Sequence, residues 1–154
     1  MLWRELRPLA HRIDHPLRVL DVATGSADIP VGLASLAKRD SVRLDLHACD
    51  ISPTALAESS RRALAAGVTI GLEELNAVTT PIGRRFDVIT CSLFLHHLDA
   101  EESIALLKNL ANATDQLLLV ADLRRDKPGL ALAWIASRAL TGSRVVHVDA
   151  IKSV

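Results

Sequence analysis

Apolar and polar positions along the chain follow two alternating rhythms. Short β-branched runs are separated by longer Ala/Leu-rich stretches whose apolar residues recur at helical spacing, the signature of βαβ units and a parallel sheet. Leu17 to Ala23 is a near-continuous apolar run and predicts a strand buried on both faces. A helix is expected from Asp28 to Lys38, with Pro30 falling in its first turn. Leu44 to Cys49 reads as a second strand. Ser52-Pro53 reads as the N-cap and first position of a helix to Ala66, ended by Gly67. Val68 to Leu72 is a weaker third strand, Phe86 to Cys91 a fourth and Leu117 to Ala121 a fifth. Asp99-Ala100-Glu101-Glu102 predicts a capping box opening a helix to Ala113. Gly129 to Leu140 predicts a last amphipathic helix, and Val145 to Val148 carries a final strand signal. The fold class is therefore α/β, a parallel sheet with helices on both faces.

Composition narrows the function. The 154 residues suit one domain, and 49% hydrophobic with 23% charged residues is an ordinary globular balance. Lys+Arg and Asp+Glu are both 18, so no basic surplus supports a nucleic-acid or anionic-membrane partner. No uncharged apolar run approaches a membrane span, and the first residues carry no signal-peptide core. A cytoplasmic address is expected. Cys49 and Cys91 cannot build a disulfide framework or a Cys-rich zinc site, so no metal is expected. Tyrosine is absent and rings are scarce, which removes stacking platforms for single strands and tyrosine-dependent dehydrogenase chemistry.

The informative segment is Val19-Leu20-Asp21-Val22-Ala23-Thr24-Gly25-Ser26-Ala27-Asp28. A buried strand there runs through a small-residue turn into a helix, which exposes backbone N–H groups to a ligand. Only Gly25 of a G-x-G-x-x-G dinucleotide turn is present. Asp21 and Asp28 would repel a pyrophosphate and attract an ammonium or sulfonium. A plain strand-to-helix turn is the competing reading. Asp50 ends strand 2, where a carboxylate can accept both hydroxyls of a ribose, and Ile51 could then pack on an adenine. A helix-capping aspartate is the alternative. Leu75-Asn76-Ala77 follows strand 3, and Thr90-Cys91-Ser92-Leu93 ends strand 4. All four segments fall at the carboxyl edge of one sheet, where open α/β folds bind ligands.

These motifs resemble the class I S-adenosylmethionine-dependent methyltransferases, most closely the small-molecule branch that includes the quinone-biosynthesis enzymes. The resemblance covers residues 17 to 126, the core of a single domain spanning 1–154. It rests on Leu20-Asp21-Val22-Ala23-Thr24-Gly25, on Cys49-Asp50-Ile51-Ser52, and on Phe86-Asp87-Val88-Ile89-Thr90-Cys91-Ser92-Leu93-Phe94-Leu95-His96-His97-Leu98. It implies a Rossmann-like sheet of order 3-2-1-4-5 and S-adenosylmethionine as cofactor. Asp21, Ala23, Thr24, Gly25 and Asp28 would surround the methionine part, with Asp50 on the ribose. Ile51, Asn76 and Ala77 would meet the adenine, and Cys91 and Ser92 would lie beside the methionine. The family's first motif carries alternating glycines, whereas this chain has Ala23, Gly25 and Ala27. Alanine there is expected to keep φ negative. Asn76 replaces a commoner aspartate but still offers hydrogen bonds to adenine.

His96 and His97 follow strand 4 and are the candidate proton acceptors for a phenol or amine nucleophile. The bland alternative packs one ring in the loop and leaves the other in solvent. His147 and Asp149 are candidate substrate-pocket residues, and Arg124-Arg125-Asp126-Lys127 reads as a solvated loop. Three functions compete. The first is methyl transfer to a small-molecule acceptor, the second a non-catalytic cofactor-binding or interaction protein on the same fold. The third, a nucleotide-dependent oxidoreductase, is disfavoured by the missing glycines and by Asp21. Cys49 and Cys91 are expected to stay free, since two strand spacings of about 4.8 Å exceed the ~7 Å a disulfide spans. The chain is also expected to stop before strands 6 and 7 of the family's sheet. Strand 5, uncharged from Gln116 to Ala121, would then be an open edge inviting self-association.

Overall fold

The computed structural model describes residues 2–123 and the backbone of residues 146–151. The chain divides into two compact units, Met1–Leu75 and Asn76–Val154. The first contains α1 (Leu2–Ala10), β1 (Leu17–Val22), α2 (Asp28–Arg39), β2 (Leu44–Asp50), α3 (Pro53–Ala66) and β3 (Gly71–Glu74). β1 pairs parallel with β2, Leu17 opposite Leu44 through Val22 opposite Cys49. β2 pairs parallel with β3, His47 opposite Gly71 through Asp50 opposite Glu74. Leu17, Val19, Leu20 and Val22 are all buried, as a strand covered on both faces requires.

Local chemistry explains where the elements start and stop. Ser52 caps α3 by accepting the Ala55 N–H at 3.3 Å, with Pro53 behind it and Gly67 left-handed at φ +64° after it. That C-cap also explains why β3 begins later than Val68. The Val68 N–H is committed to the Ala63 carbonyl at 2.9 Å, a helix-ending bond that holds the chain away from the sheet. Gly71 then faces His47 so closely that a Cβ would sit 2.3 Å from the imidazole Nδ1. Glycine is what lets the third strand join at that register.

The second unit contains β4 (Phe86–Ser92), a 3-10 turn (Leu95–His97), α4 (Ala100–Ala113), β5 (Thr114–Leu123) and β6 (Val146–Ile151). Asp99 and Glu102 form the expected capping box, each side chain bonding the other's backbone N–H at 2.8 and 3.0 Å. Leu106, Leu110 and Ala113 bury one stripe of α4. β4 pairs parallel with β5, and β5 with β6, Leu118 opposite Val146 through Leu123 opposite Ile151. Strand order through the sheet is β3-β2-β1-β4-β5-β6. The expected order 3-2-1-4-5 is present, with one strand more.

That strand corrects one expectation. β5 is not an open edge, because the signal read at Val145 to Val148 becomes β6 and takes up its free backbone groups. The argument for self-association through β5 therefore fails. The helix expected over Gly129 to Leu140 and the Arg124 cluster lie outside the described residues, as do the side chains of His147 and Asp149. Among the described residues, no helix is long and apolar enough to cross a membrane.

α1 was not legible in the pattern, being short, charged and interrupted by Pro8. It is held by Trp3 and Leu6, both buried and one turn apart. The Trp3 indole donates to Asp40 Oδ2 at 2.8 Å, just past the end of α2. Arg39 bonds the same carboxylate at 2.8 Å and Arg7 approaches it to 3.6 Å. Arg39, then the Trp3 N–H, hold the Asp40 carboxyl well below the usual carboxylate range. A depressed folded-state pKa contributes stability above the unfolded value of about 3.9 and loses it as pH falls. Asp40→Asn should therefore unfold at a lower temperature than wild type at pH 7, and the gap should stay level down to about pH 4 and begin to narrow only below it. Thermal melts at pH 7, 5 and 3 check this; a gap independent of pH would mean the charge is not the tie.

Candidate functional site

In the first unit the carboxyl ends of β1 and β2 are joined through one side chain. Asp50 Oδ2 accepts the Gly25 N–H at 2.9 Å, and Asp50 Oδ1 accepts the Ser52 N–H at 2.9 Å. Each oxygen keeps capacity for a further donor. The Thr24 N–H bonds the Cys49 carbonyl at 3.1 Å, continuing the ladder into the loop. The Gly25 carbonyl accepts the hydroxyl of Ser59, buried on α3, at 2.8 Å. Loop, strand end and helix are thereby locked together by hydrogen bonds.

The surface beside this lock is open. Gly25 has φ +57° and a Cβ there would meet nothing within 4 Å, so the loop presents bare backbone. Ile51, next to Asp50, remains 59% exposed, an uncovered apolar face beside a carboxylate. Asp21 is placed differently from expectation. It is buried beneath the loop and accepts the Thr24 hydroxyl at 2.7 Å, so it braces the turn rather than offering an exposed counter-charge. Asp28 is exposed, accepts the Ser26 hydroxyl at 2.8 Å and is ion-paired with Arg62 of α3. Its charge is already matched.

Ala23 and Ala27 overturn the expectation of negative φ. They adopt +55° and +58°, so with Gly25 every second residue of the loop is left-handed. Reversing the carbonyls at alternate positions is what wraps the chain tightly, and the bond from the Ala27 N–H to the Thr24 carbonyl at 3.0 Å closes the turn. The left-handed conformation costs an L-residue about 1–2 kcal/mol. The two alanines store that strain at the candidate site.

Cys49 is buried under the same loop, and burial pushes its thiol up to about 12 despite a hydrogen bond from the Ala23 backbone. Both cysteines are free.

In the second unit, Asn76 Oδ1 accepts the Val78 N–H at 3.1 Å, and its carbonyl accepts the Thr79 and Thr80 N–H groups. This compact turn is pinned by Asn109, which donates to the carbonyls of Ala77 and Thr80 at 2.8 and 2.7 Å. Ala77 and Cys91 are buried, leaving them backbone atoms to offer a ligand. Ser92 ends β4 and Leu93 follows it at φ +55°, its N–H on the Ala121 carbonyl at 2.8 Å. His96 bonds Asp122 through both its backbone N–H and its ring, at 3.1 and 2.6 Å. His97 makes a ring contact with His96.

Asp122, Ser59 and Asn109 were not read from the sequence. Asp122 ends a strand as Asp50 does, so the same rule would have found it. Ser59 and Asn109 lie mid-helix with no local signal. A recess of about 370 Å³ walled by Pro81, Arg84, Asn109 and Asn112 lies at the amino end of β4. Ser92 and the histidines are at the other end, so it is not part of this site.

The model of the family described as a methyltransferase domain matches residues 19–116. Among solved structures, magnesium protoporphyrin IX methyltransferase from Synechocystis PCC 6803 with bound SAH is similar at TM-score 0.65 and 21% identity. The match covers 96% of this chain and 64% of that one. The same protein with bound SAM gives 0.61 at 22% identity, over 77% and 56% of the two chains. A S-adenosylmethionine-dependent methyltransferase from Clostridium acetobutylicum ATCC 824 gives 0.57 at 20% identity, over 74% and 44%. This chain thus spans between 44% and 64% of the length of these structures, and the likeness is one of fold. No curated protein sequence matches it.

Two expected outcomes follow from the loop. Ala23→Gly removes a strain of about 1–2 kcal/mol and adds unfolded-chain entropy worth about 0.4–1 kcal/mol. It should raise stability by up to about 1.6 kcal/mol, against the usual sign for Ala-to-Gly; a destabilised variant in denaturant titration would show the left-handed φ is not costly here. Cys49 should resist iodoacetamide at pH 8 in the native protein and react only in denaturant, as read by mass spectrometry. Native labelling at Cys49 would mean the β2 end opens.

Proposed function

The chain belongs to the methyltransferase domain family, and on that premise we propose that it binds S-adenosylmethionine and methylates a small-molecule acceptor. The observation that carries this is the Asp50 lock: a carboxylate bracing the amides of Gly25 and Ser52, with Ile51 uncovered beside it. The free acceptor capacity of Asp50 suits a pair of ribose hydroxyls, and the exposed Ile51 face suits an adenine ring. The open backbone at Gly25 has room for the methionine portion, which an added Cβ would begin to fill. The buried negative charge of Asp21 beneath the loop favours a cationic centre above it. When bound, the cofactor supplies a methyl group already activated as a sulfonium.

What remains for the protein is to orient the acceptor and keep water out. The family resemblance extends the reading to Asn76 and Ala77 as adenine contacts and to Cys91 and Ser92 beside the methionine part. The two units are read as one methyltransferase domain. Two free thiols suit a reducing compartment, and the reading places the protein in the cytoplasm.

Calorimetry tests the proposal. The native chain should bind S-adenosylmethionine and its demethylated product but not NAD(P). Asp50→Ala should weaken binding by about 1.5–3 kcal/mol, the scale of a lost charged partner. Unchanged affinity in a folded Asp50→Ala protein would remove Asp50 from the site. Binding with no methyl transfer to any acceptor would point to a cofactor-binding protein instead.

A further inference from the structure

Ser59 uses its hydroxyl differently from Ser35 and Thr114. Those two turn back on the carbonyl four residues earlier, Val31 at 3.1 Å and Leu110 at 2.7 Å, the local bond that a helix offers to serine and threonine. Ser59, midway along α3 and 0% exposed, instead donates to the Gly25 carbonyl at 2.8 Å, 34 residues away. A local partner has been given up for a distant one.

The distant bond falls where the loop is least able to hold itself. Gly25 stands at φ +57° between the left-handed Ala23 and Ala27. Glycine populates positive and negative φ about equally, so the peptide joining Gly25 to Ser26 is the easiest in the loop to turn over. Asp50 holds the Gly25 N–H at 2.9 Å, which fixes the peptide before it. The peptide after it is held by Ser59. In a planar trans peptide the carbonyl and the N–H point in opposite directions. With the Gly25 carbonyl turned in to α3, the Ser26 N–H is turned away from it. Among the described residues that N–H meets no acceptor.

We propose that Ser59 is a positioning residue for the cofactor, and that the Ser26 N–H it turns outward donates to the cofactor's carboxylate. This rests on the methyltransferase reading above. Beyond its ribose, S-adenosylmethionine carries a sulfonium, an ammonium and a carboxylate, and the carboxylate is the strong hydrogen-bond acceptor of the three. Asp50 and Ile51 serve the nucleoside. Ser59 serves the amino-acid end, through the Gly25–Ser26 peptide. Ligands that share the nucleoside and differ in that end separate the two roles.

Amide exchange in the native chain, followed by NMR, tests the contact without any variant. The Ser26 N–H should exchange fast in the free chain. Saturating S-adenosylhomocysteine should slow it about tenfold or more, the scale of a hydrogen bond to a charged group. Methylthioadenosine, which keeps the nucleoside and lacks the amino-acid end, should leave it fast. A Ser26 amide already protected in the free chain, unchanged by S-adenosylhomocysteine, or slowed equally by both ligands overturns the proposal.

Calorimetry tests the positioning. Ser59→Ala should weaken S-adenosylhomocysteine binding about tenfold or more and leave methylthioadenosine binding unchanged. Ser59→Cys, close in volume and a weaker donor, should show the same split with a smaller loss, and it carries the test should Ser59→Ala fail to fold. A residue that only held the fold together would weaken both ligands alike, so equal loss, or no loss, sinks the proposal. A native chain that binds neither ligand refutes the methyltransferase reading itself. One that binds both while the Ser26 amide stays fast refutes the proposal alone.

Discussion

The geometry of the first unit's carboxyl edge depends on the carboxylate of Asp50. A strand that ends in a tight turn leaves backbone N–H groups with no ladder partner, and buried donors without partners are costly. Asp50 answers for two of them, one on the loop after β1 and one at the start of α3. Two elements far apart in sequence are thereby fixed to one rigid group at the end of β2. Because the oxygens are anchored from within, any ligand that approaches finds acceptors already oriented. Orientation settled in advance is what binding exploits.

Most of the left-handed non-glycine backbone among the described residues lies where strands end, Ser41 between α2 and β2 being the exception. Ala23, Gly25 and Ala27 are left-handed at the end of β1, and Leu93 is left-handed at the end of β4. The strain is maintained by bonds that leave the loop no cheaper arrangement: Thr24 to Asp21 below, Ser59 to the Gly25 carbonyl from α3, and Leu93 to the Ala121 carbonyl. Strain persists where its surroundings over-determine it.

Charge follows a similar economy. The chain is neutral as a whole, and Asp28, the most exposed of the three acidic residues of the first unit's edge, is matched by Arg62. Asp122 in the second unit is likewise committed, to the backbone and ring of His96.

Much of this was legible in the order of residues. Periodicity marked the strands and helices because burial on one or both faces leaves a repeat of two or of about 3.6. Caps were legible because Ser52, Pro53, Gly67, Asp99 and Glu102 act on neighbours a few residues away. Asp50, Gly25, Asn76 and the histidines were legible because they sit where strands end. Tertiary structure alone decided the rest. It buried Asp21 and paired Asp28 with Arg62, a residue on another helix. It forced Ala23 and Ala27 left-handed, since the path of the loop is set by Asp50 and Ser59 and not by alanine's own preference. It docked α1 through Trp3 and Asp40, which are 37 residues apart. It also gave β5 a parallel neighbour and gave His96 its aspartate. In each case the deciding partner is distant in the chain, and a bond between distant residues leaves no periodic trace in the sequence.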